Sequence, residues 1–162
     1  MHGQLVSELV LLLVIANGAP FVAHRLFGKF LDQPLDRNKV FRDGRPLLGP
    51  AKTVRGVFSA IIATTVLAPL VGLGPVQGAV FGLLAMLGDM ASSFIKRRLT
   101  IATSQSAPLL DQLPETLVPL IVMQQALSAT LPEIAAASII FMLIDLAFSW
   151  LRDRLHRQPR VP

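Results

Sequence analysis

The sequence predicts an all-α integral membrane protein with about five transmembrane helices, and three observations lead to this fold class. Of the 162 residues, 52% are hydrophobic and only 15% are charged, and the mean hydropathy is +0.59, which is too apolar for an ordinary soluble domain of this size. Several apolar stretches approach the length of about 20 residues that a helix needs to cross a bilayer. All 15 Lys and Arg residues fall at or beyond one set of ends of these stretches.

The first predicted span begins without basic residues and is interrupted by Asn17, Gly18 and Pro20. It does not resemble a cleavable signal peptide, which starts with charge and ends at a small-residue cleavage site, so we expect a mature helix. The second and third spans are joined by little more than a Gly-Pro pair, and the fourth and fifth by a Leu-Pro pair, so both pairs should form helical hairpins. The predicted spans are residues 4–27, 54–73, 75–95, 113–130 and 132–150.

The basic residues predict the topology. Eight lie in residues 25–55, three in residues 96–98 and four in residues 152–160, and with five spans these segments share one side. The positive-inside rule places that side in the cytoplasm, the N-terminus outside and the C-terminus inside. We expect one compact domain over residues 1–162 in the cytoplasmic membrane, with its active site facing the cytoplasm.

Composition also limits the chemistry. The chain has no Cys and three scattered His residues, so thiolate chemistry is excluded and any metal should be held by oxygen. The formal net charge is +5 and the pI is near 10.8, but the basic residues sit at span ends and aromatic residues are only 6%. This placement indicates a membrane, and no nucleic acid is expected as a partner.

A first polar cluster, "LGDMASSFIKRR" at residues 87–98, ends the third span. Helical periodicity places Asp89, Ser93 and Lys96 on one face. A carboxylate at this depth should face the bundle interior with a partner, as a functional group or as half of an internal salt bridge. The sequence alone leaves both interpretations open.

A second cluster, "SAPLLDQLPET" at residues 106–116, precedes the fourth span. Asp111 and Glu115 lie four residues apart and can share a face, and Pro114 suits the first turn of a helix. The simpler interpretation of Asp111 is an acid that complements the helix dipole.

A third cluster, "DGRPLLGPAKTVRG" at residues 43–56, is rich in Gly, Pro and cations. It could be a basic loop attracted to anionic lipid. Together the clusters bring carboxylates and cations to one membrane face, which suits phosphate chemistry with Mg²⁺. The sequence contains no GxxxxGK[ST] phosphate loop.

Four motifs together resemble the CTP-dependent CDP-archaeol synthases, relatives of the CDP-diacylglycerol synthases. They are "ANGAP" at residues 16–20, "DGRPLLGPAKTVRG" at residues 43–56, "GDMASSFIKRRL" at residues 88–99 and "SAPLLDQLPE" at residues 106–115. The resemblance covers most of the chain, and Ser93, Lys96 and Arg97 match the S-x-x-K-R opening of the wider cytidylyltransferase signature. It implies that a lipid phosphate attacks the α-phosphorus of CTP and that pyrophosphate leaves. The lipid expected from the family carries isoprenoid ether chains, while a diacyl phosphate stays open.

From the clusters and the resemblance we expect a Mg²⁺-dependent enzyme with three groups of site residues. The catalytic group is Asp89, Asp111 and Lys96. The nucleotide- and phosphate-binding group is Asn17, Lys52, Arg55, Ser93, Lys96 and Arg97. The metal ligands are Asp89, Asp111 and Glu115.

Glu115 marks a departure from the family pattern, which has a second Asp directly after "LLDQL", where this chain has Pro114. Either Glu115 reaches the same metal or one ligand is lost. The expected partners are CTP, a membrane lipid phosphate and the bilayer, and a homodimer is left open. The alternative from another class is a small transporter or lipid-binding protein for an anionic solute, although the polar groups gather near one face and no internal repeat is visible.

Overall fold

The computed structural model describes residues 2–101 and 107–156. It contains the helices α1 (Gly3–Phe27), α2 (Val54–Leu67), α3 (Pro75–Arg98), α4 (Pro108–Val122) and α5 (Leu131–His156). A short 3₁₀ turn, Ala68–Val71, extends α2. The described residues form no strand beyond two isolated bridges in the segment that joins α1 to α2. The all-helical prediction is therefore confirmed.

The connection between α2 and α3 follows the predicted hairpin, whereas α4 and α5 are joined by residues 123–130 and not by the predicted Leu-Pro pair. Gly72 adopts a left-handed φ of 72° after the 3₁₀ turn, a conformation that glycine adopts without steric cost. Gly74 then precedes Pro75, the first residue of α3, where the missing N–H of proline costs no helical hydrogen bond. The chain therefore reverses direction between α2 and α3 within a few residues.

The apolar core lies around α1, which contacts α2, α3 and α5. Leu9, Leu13 and Ala16 pack in one cluster with Phe81 of α3 and Leu120 of α4. α3 makes its most extensive contacts with α4 and α2. Large apolar side chains also cover the outer surface of the bundle, as expected where lipid is the solvent.

Four helical segments in the described residues are long and apolar enough to cross a membrane: Gly3–Phe27, Val54–Val71, Pro75–Arg98 and Leu131–Leu151. The fourth predicted span, residues 113–130, is wrong in its bounds. The helix there is α4, which has 15 residues and a length of about 22 Å at 1.5 Å per residue. This is less than the roughly 30 Å of a bilayer core.

The early start of α4 has a local cause. The Asp111 carboxylate accepts a hydrogen bond from the N–H of Ala107 at 3.1 Å, which fixes the residue directly before the helix start at Pro108. Pro114 therefore lies inside α4 and not in its first turn, contrary to the sequence-based expectation. Because proline has no N–H, Pro114 cannot donate to the carbonyl of Leu110.

Candidate active site

The 26-residue segment between α1 and α2 is folded back on itself by one buried carboxylate. Asp36 is 5% exposed and accepts from the N–H groups of Asn38, Leu48 and Gly49 at 2.8 to 3.0 Å. Burial acts to raise the pKa of Asp36, but the three N–H donors outweigh it, so the pKa lies below the ordinary 3.8. The ionised carboxylate therefore ties both halves of the segment together.

Arg55, at the start of α2, fastens the base of this segment. Its guanidinium donates to the carbonyls of Gly28 and Phe30, to His24 Nδ1 at 2.8 Å and to Asp32 Oδ1 at 2.5 Å. The side chain is only 6% exposed. In this structure Arg55 holds the chain that leaves α1, and its expected contact with phosphate stays a prediction.

The tip of the segment is attached to the end of α3. Arg98 donates to Asp43 Oδ1 and to the Pro46 carbonyl, each at 2.6 Å, and its guanidinium lies 4.8 Å from the centre of the Phe41 ring. Arg45 donates in return to the Arg98 carbonyl. Three anchors thus make the segment a defined part of the bundle.

The α1–α2 segment places the side chain of Lys52 against Asp89. Lys52 Nζ lies 2.6 and 2.5 Å from the two carboxylate oxygens of Asp89 on α3, and both side chains are about one-fifth exposed. They line a cavity of about 370 Å³ between α1, α2 and α3, together with Pro20, His24, Arg55 and Met86. Two residues predicted from separate motifs therefore meet at one cavity.

A second lysine–aspartate pair joins α3 to α4. Lys96 Nζ lies 2.5 Å from Asp111 Oδ1, while Asp111 Oδ2 caps α4. One oxygen of Asp111 thus serves the helix start and the other the ion pair, while its catalytic and metal-binding roles stay predictions. Asp89 has the salt-bridge partner expected from the sequence, and that partner is Lys52 on another element, while Lys96 pairs with Asp111 of α4.

α3 and α4 touch backbone to backbone next to Asp89. A Cβ placed on Gly88 would lie 2.2 Å from the Pro114 carbonyl oxygen and 2.8 Å from the Glu115 Cα. Only glycine permits this approach. Gly88 and Pro114 directly precede Asp89 and Glu115, so the crossing sets two carboxylates beside each other.

Glu115 is half-buried and lies within electrostatic reach of Asp89, Asp145, Asp111 and Lys52. Asp145, on α5, was not predicted as a site residue. A carboxylate inside an apolar span is a functional signal by default, so residue type and position alone could have identified it.

The remaining predicted residues are placed less directly. Ser93 is buried on α3. Arg97 is 6% exposed and donates to the Ile101 carbonyl at 2.6 Å. Asn17 donates to the Leu13 carbonyl of its own helix and is not among the described residues that line the 370 Å³ cavity. Ser106, the first residue of the "SAPLLDQLPE" motif, lies outside the described residues.

In the described residues, no three His, Asp or Glu side chains are arranged to hold a metal ion by themselves. The donor set is nevertheless made of carboxylate oxygens, the ligands that Mg²⁺ prefers. Magnesium is commonly held by one or two carboxylates together with substrate phosphates. The residues therefore fit an ion shared with a nucleotide, and Asp89, Asp111 and Glu115 as its ligands stay a prediction.

Apolar helices of membrane-crossing length that enclose carboxylates and lysines define an integral membrane protein with an enzyme-like polar site. Residues 4–157 match the model of the CarS-like family of CDP-archaeol synthases. The chain belongs to this family. The resemblance inferred from the four motifs is confirmed, and with it, at the level of the family, the expectation of a CTP-dependent cytidylyltransferase.

Individual relatives agree. The chain is 40% identical to a CDP-archaeol synthase of Hyperthermus butylicus over 68% of this chain and 69% of the relative. It is 42% identical to one of Aeropyrum pernix over 68% of this chain and 64% of the relative. With one of Pyrobaculum calidifontis it shares 32% identity over 90% of both chains.

A solved structure of an intramembrane enzyme for archaeal membrane lipid biosynthesis matches with a TM-score of 0.75. The identity is 37%, over 88% of this chain and 90% of that one. The fold and the family thus favour the enzyme over the small transporter considered from the sequence.

Proposed function

We propose that this chain transfers the cytidylyl group of CTP to a membrane lipid phosphate and releases pyrophosphate. A phosphate oxygen of the lipid forms a bond to the α-phosphorus of CTP, and the bond from that phosphorus to the bridging oxygen of the β-phosphate breaks. The favoured acceptor is an archaeol-type ether lipid phosphate, as in the family's name, with phosphatidic acid as the alternative.

The observation that carries the proposal is the double pairing around the α3–α4 crossing. Asp89 pairs with Lys52 and Asp111 pairs with Lys96, and in both pairs the partners come from different elements. Each lysine thereby holds its charge in a partly buried position before substrate arrives. When the triphosphate enters, the two ammonium groups turn to its oxygens, because a polyphosphate carries more negative charge than a carboxylate.

Asp89, Asp111 and Glu115 are then available as oxygen ligands for Mg²⁺. Magnesium bound there would offset charge on the departing pyrophosphate and orient the triphosphate. The protein's part is to hold Lys52 and Lys96 on either side of the phosphates and to keep the carboxylates at a fixed spacing through the Gly88 contact. Positioning of this kind supplies much of the rate in phosphate transfer.

The proposal is tested with Asp89→Asn and Asp111→Asn in the purified full-length protein. Pyrophosphate release from CTP and an archaeol-type lipid phosphate is measured over a range of Mg²⁺ concentrations. We expect each variant to lose about 10²-fold or more in turnover, the usual scale for an electrostatic group in an active site. Glu8→Gln, a carboxylate near the opposite end of α1 that accepts from Gln4, is the matched control and should keep its activity. Near-normal turnover of both Asp variants at limiting Mg²⁺ would refute the assignment.

We further propose that the site faces the cytoplasm, because the basic residues gather at the helix ends that surround it. The chain has no native Cys, so single cysteines report accessibility directly. Gln4→Cys and Arg42→Cys should react with an impermeant reagent from opposite sides of a sealed vesicle, with Arg42→Cys on the side that CTP reaches. Labelling of both positions from one side would contradict this topology.

A further inference from the structure

Asp145 brings a fourth carboxylate to the site. It lies within the apolar part of α5, half-buried, and its Oδ2 accepts from Gln112 Nε2 on α4 at 2.6 Å. Ionisable residues inside a membrane are costly and usually functional. The amide of Gln112 is neutral, so it holds Asp145 without balancing its charge.

The charges around Glu115 do not balance. Lys52 and Lys96 are already paired with Asp89 and Asp111. Among the side chains that the structure describes, no ion pair is found for Glu115 or Asp145, and these two carboxylates act on each other electrostatically. Two carboxyl groups without a cationic partner at this depth favour the binding of a cation between or beside them, because a nearby cation stabilises their ionised form.

The side chain of Gln112 is an independent observation that points to a ligand. It is only 3% exposed, and its Oε1 is buried without a hydrogen-bond partner in the described structure. A buried acceptor left unpaired destabilises the folded protein. The same amide that fixes Asp145 therefore presents an unused oxygen, the atom type that a hard cation would take.

Gln112 also lies between Asp111 and Glu115 along α4. Its bond to α5 fixes the rotation of the turn that carries both carboxylates, since residues three and four apart share a helix face. Thr116, the next residue on the Gln112 face, donates to the Gln112 carbonyl at 2.8 Å. The Gln112–Asp145 contact thus acts on the metal ligands through their helix.

We propose that Asp145 is a further positioning residue of the cation centre. It supplies negative charge beside Glu115 and, through Gln112, orients the α4 turn that carries Asp111 and Glu115. This inference rests on the proposed function, because it assumes that a divalent cation binds at those carboxylates. Mutation of residues that orient metal ligands without binding the metal commonly lowers metal affinity by about 10–100-fold.

The test is Mn²⁺ binding to the full-length protein in the presence of CTP, followed by the electron paramagnetic resonance signal of free Mn²⁺. Mn²⁺ suits the same oxygen ligands as Mg²⁺. Asp145→Asn retains an oxygen that accepts from Gln112 and removes only the charge. We expect its Kd for Mn²⁺ to rise about tenfold or more while its metal-free unfolding temperature stays near that of the unmodified protein. Asp145→Glu should restore tight binding in part, and Glu8→Gln should bind as the unmodified protein does.

Unchanged Mn²⁺ affinity in Asp145→Asn would overturn the proposal, and the Gln112–Asp145 hydrogen bond would then only hold α4 against α5. If Asp145→Asn does not fold, Gln112→Met decides: it keeps the Asp145 charge but removes the amide, so a weakened Mn²⁺ affinity supports the proposal and an unchanged one overturns it. If the unmodified protein binds no Mn²⁺, the metal-dependent part of the proposed function fails, and this inference fails with it. If it binds Mn²⁺ and Glu115→Gln loses binding while Asp145→Asn does not, only the inference fails.

Discussion

Gly88→Ala adds one methyl group at the point where α3 and α4 touch. The new Cβ would lie 2.2 Å from the Pro114 carbonyl oxygen and 2.6 Å from its carbonyl carbon. Ordinary carbon–oxygen contacts are about 3.3 Å or longer, so the two helices must separate by about 1 Å. Both obstructing atoms belong to the backbone, so no side-chain rotation can relieve the contact.

Separating α3 from α4 would displace residues of the candidate active site. Asp89 and Glu115 directly follow the two residues in contact, and Asp111 lies one helical turn before Glu115. A displacement of about 1 Å in catalytic geometry can cost about 10²-fold in rate, while overpacking costs about 1–3 kcal/mol of stability. We therefore expect kcat for pyrophosphate release to fall about 10²-fold in a variant that still inserts and folds.

Two glycines serve as controls in the same assay. Gly18→Ala, on α1, would meet no atom within 4 Å, and its activity and stability should stay normal. Gly78→Ala would place a Cβ 2.3 Å from the Thr64 carbonyl, so it overpacks α2 against α3 about ten residues from Asp89. It should lose stability with a smaller loss of kcat. A Gly88→Ala protein with kcat within about threefold of normal would refute the claim that this crossing sets the site.

Three further predictions concern the loop and α4. Asp36→Asn should lower the unfolding temperature at neutral pH. Because the folded pKa of Asp36 is depressed, the difference in stability between the two proteins is complete above the unfolded pKa of about 3.9 and closes as the pH falls through the lower folded value. A pH-independent difference in stability would contradict the role of charge. Arg55→Met should lose about 2 kcal/mol of stability, and Lys52→Met should raise the KM for CTP. A KM that also rises in Arg55→Met would support the phosphate contact predicted for Arg55, and an unchanged KM would oppose it. Glu115→Gln should nearly abolish Mg²⁺-dependent turnover and Glu115→Asp should weaken it, and unchanged Mg²⁺ dependence would remove Glu115 from the metal ligands.

The positions of four of the five helices could be predicted because each depends on an apolar run and on local signals. Gly74 and Pro75 mark the turn before α3, and basic residues mark its end. The bounds of α4 were predicted wrongly because the helix includes most of the polar motif, which the hydropathy pattern had placed before the span. The hydrogen bond that starts α4 uses the Asp111 side chain, a carboxylate that sequence patterning had assigned to catalysis.

The pairings within the site depend on how helices pack and could not be read from spacing. Asp89 and Lys96 share a helix, and yet each is bound to a residue on another element. Lys52 reaches Asp89 across 37 positions of sequence. Arg55 belongs to the same basic motif as Lys52, but its side chain points to the end of α1. There it donates to the backbone carbonyls of Gly28 and Phe30, which follow the helix.

The anchoring of the α1–α2 segment explains why Lys52 can serve a site on α3. A lysine side chain has four rotatable bonds, and an exposed ion pair contributes little because ordering it costs entropy. Here the backbone of Lys52 is itself fixed, since its carbonyl accepts from Leu35 N–H at 2.8 Å and its N–H donates to the Gly49 carbonyl. Asp36 holds that turn from within, and Arg98 ties the tip of the segment to α3. The segment and α3 therefore move together, so the distance from Lys52 to Asp89 is set before any substrate binds.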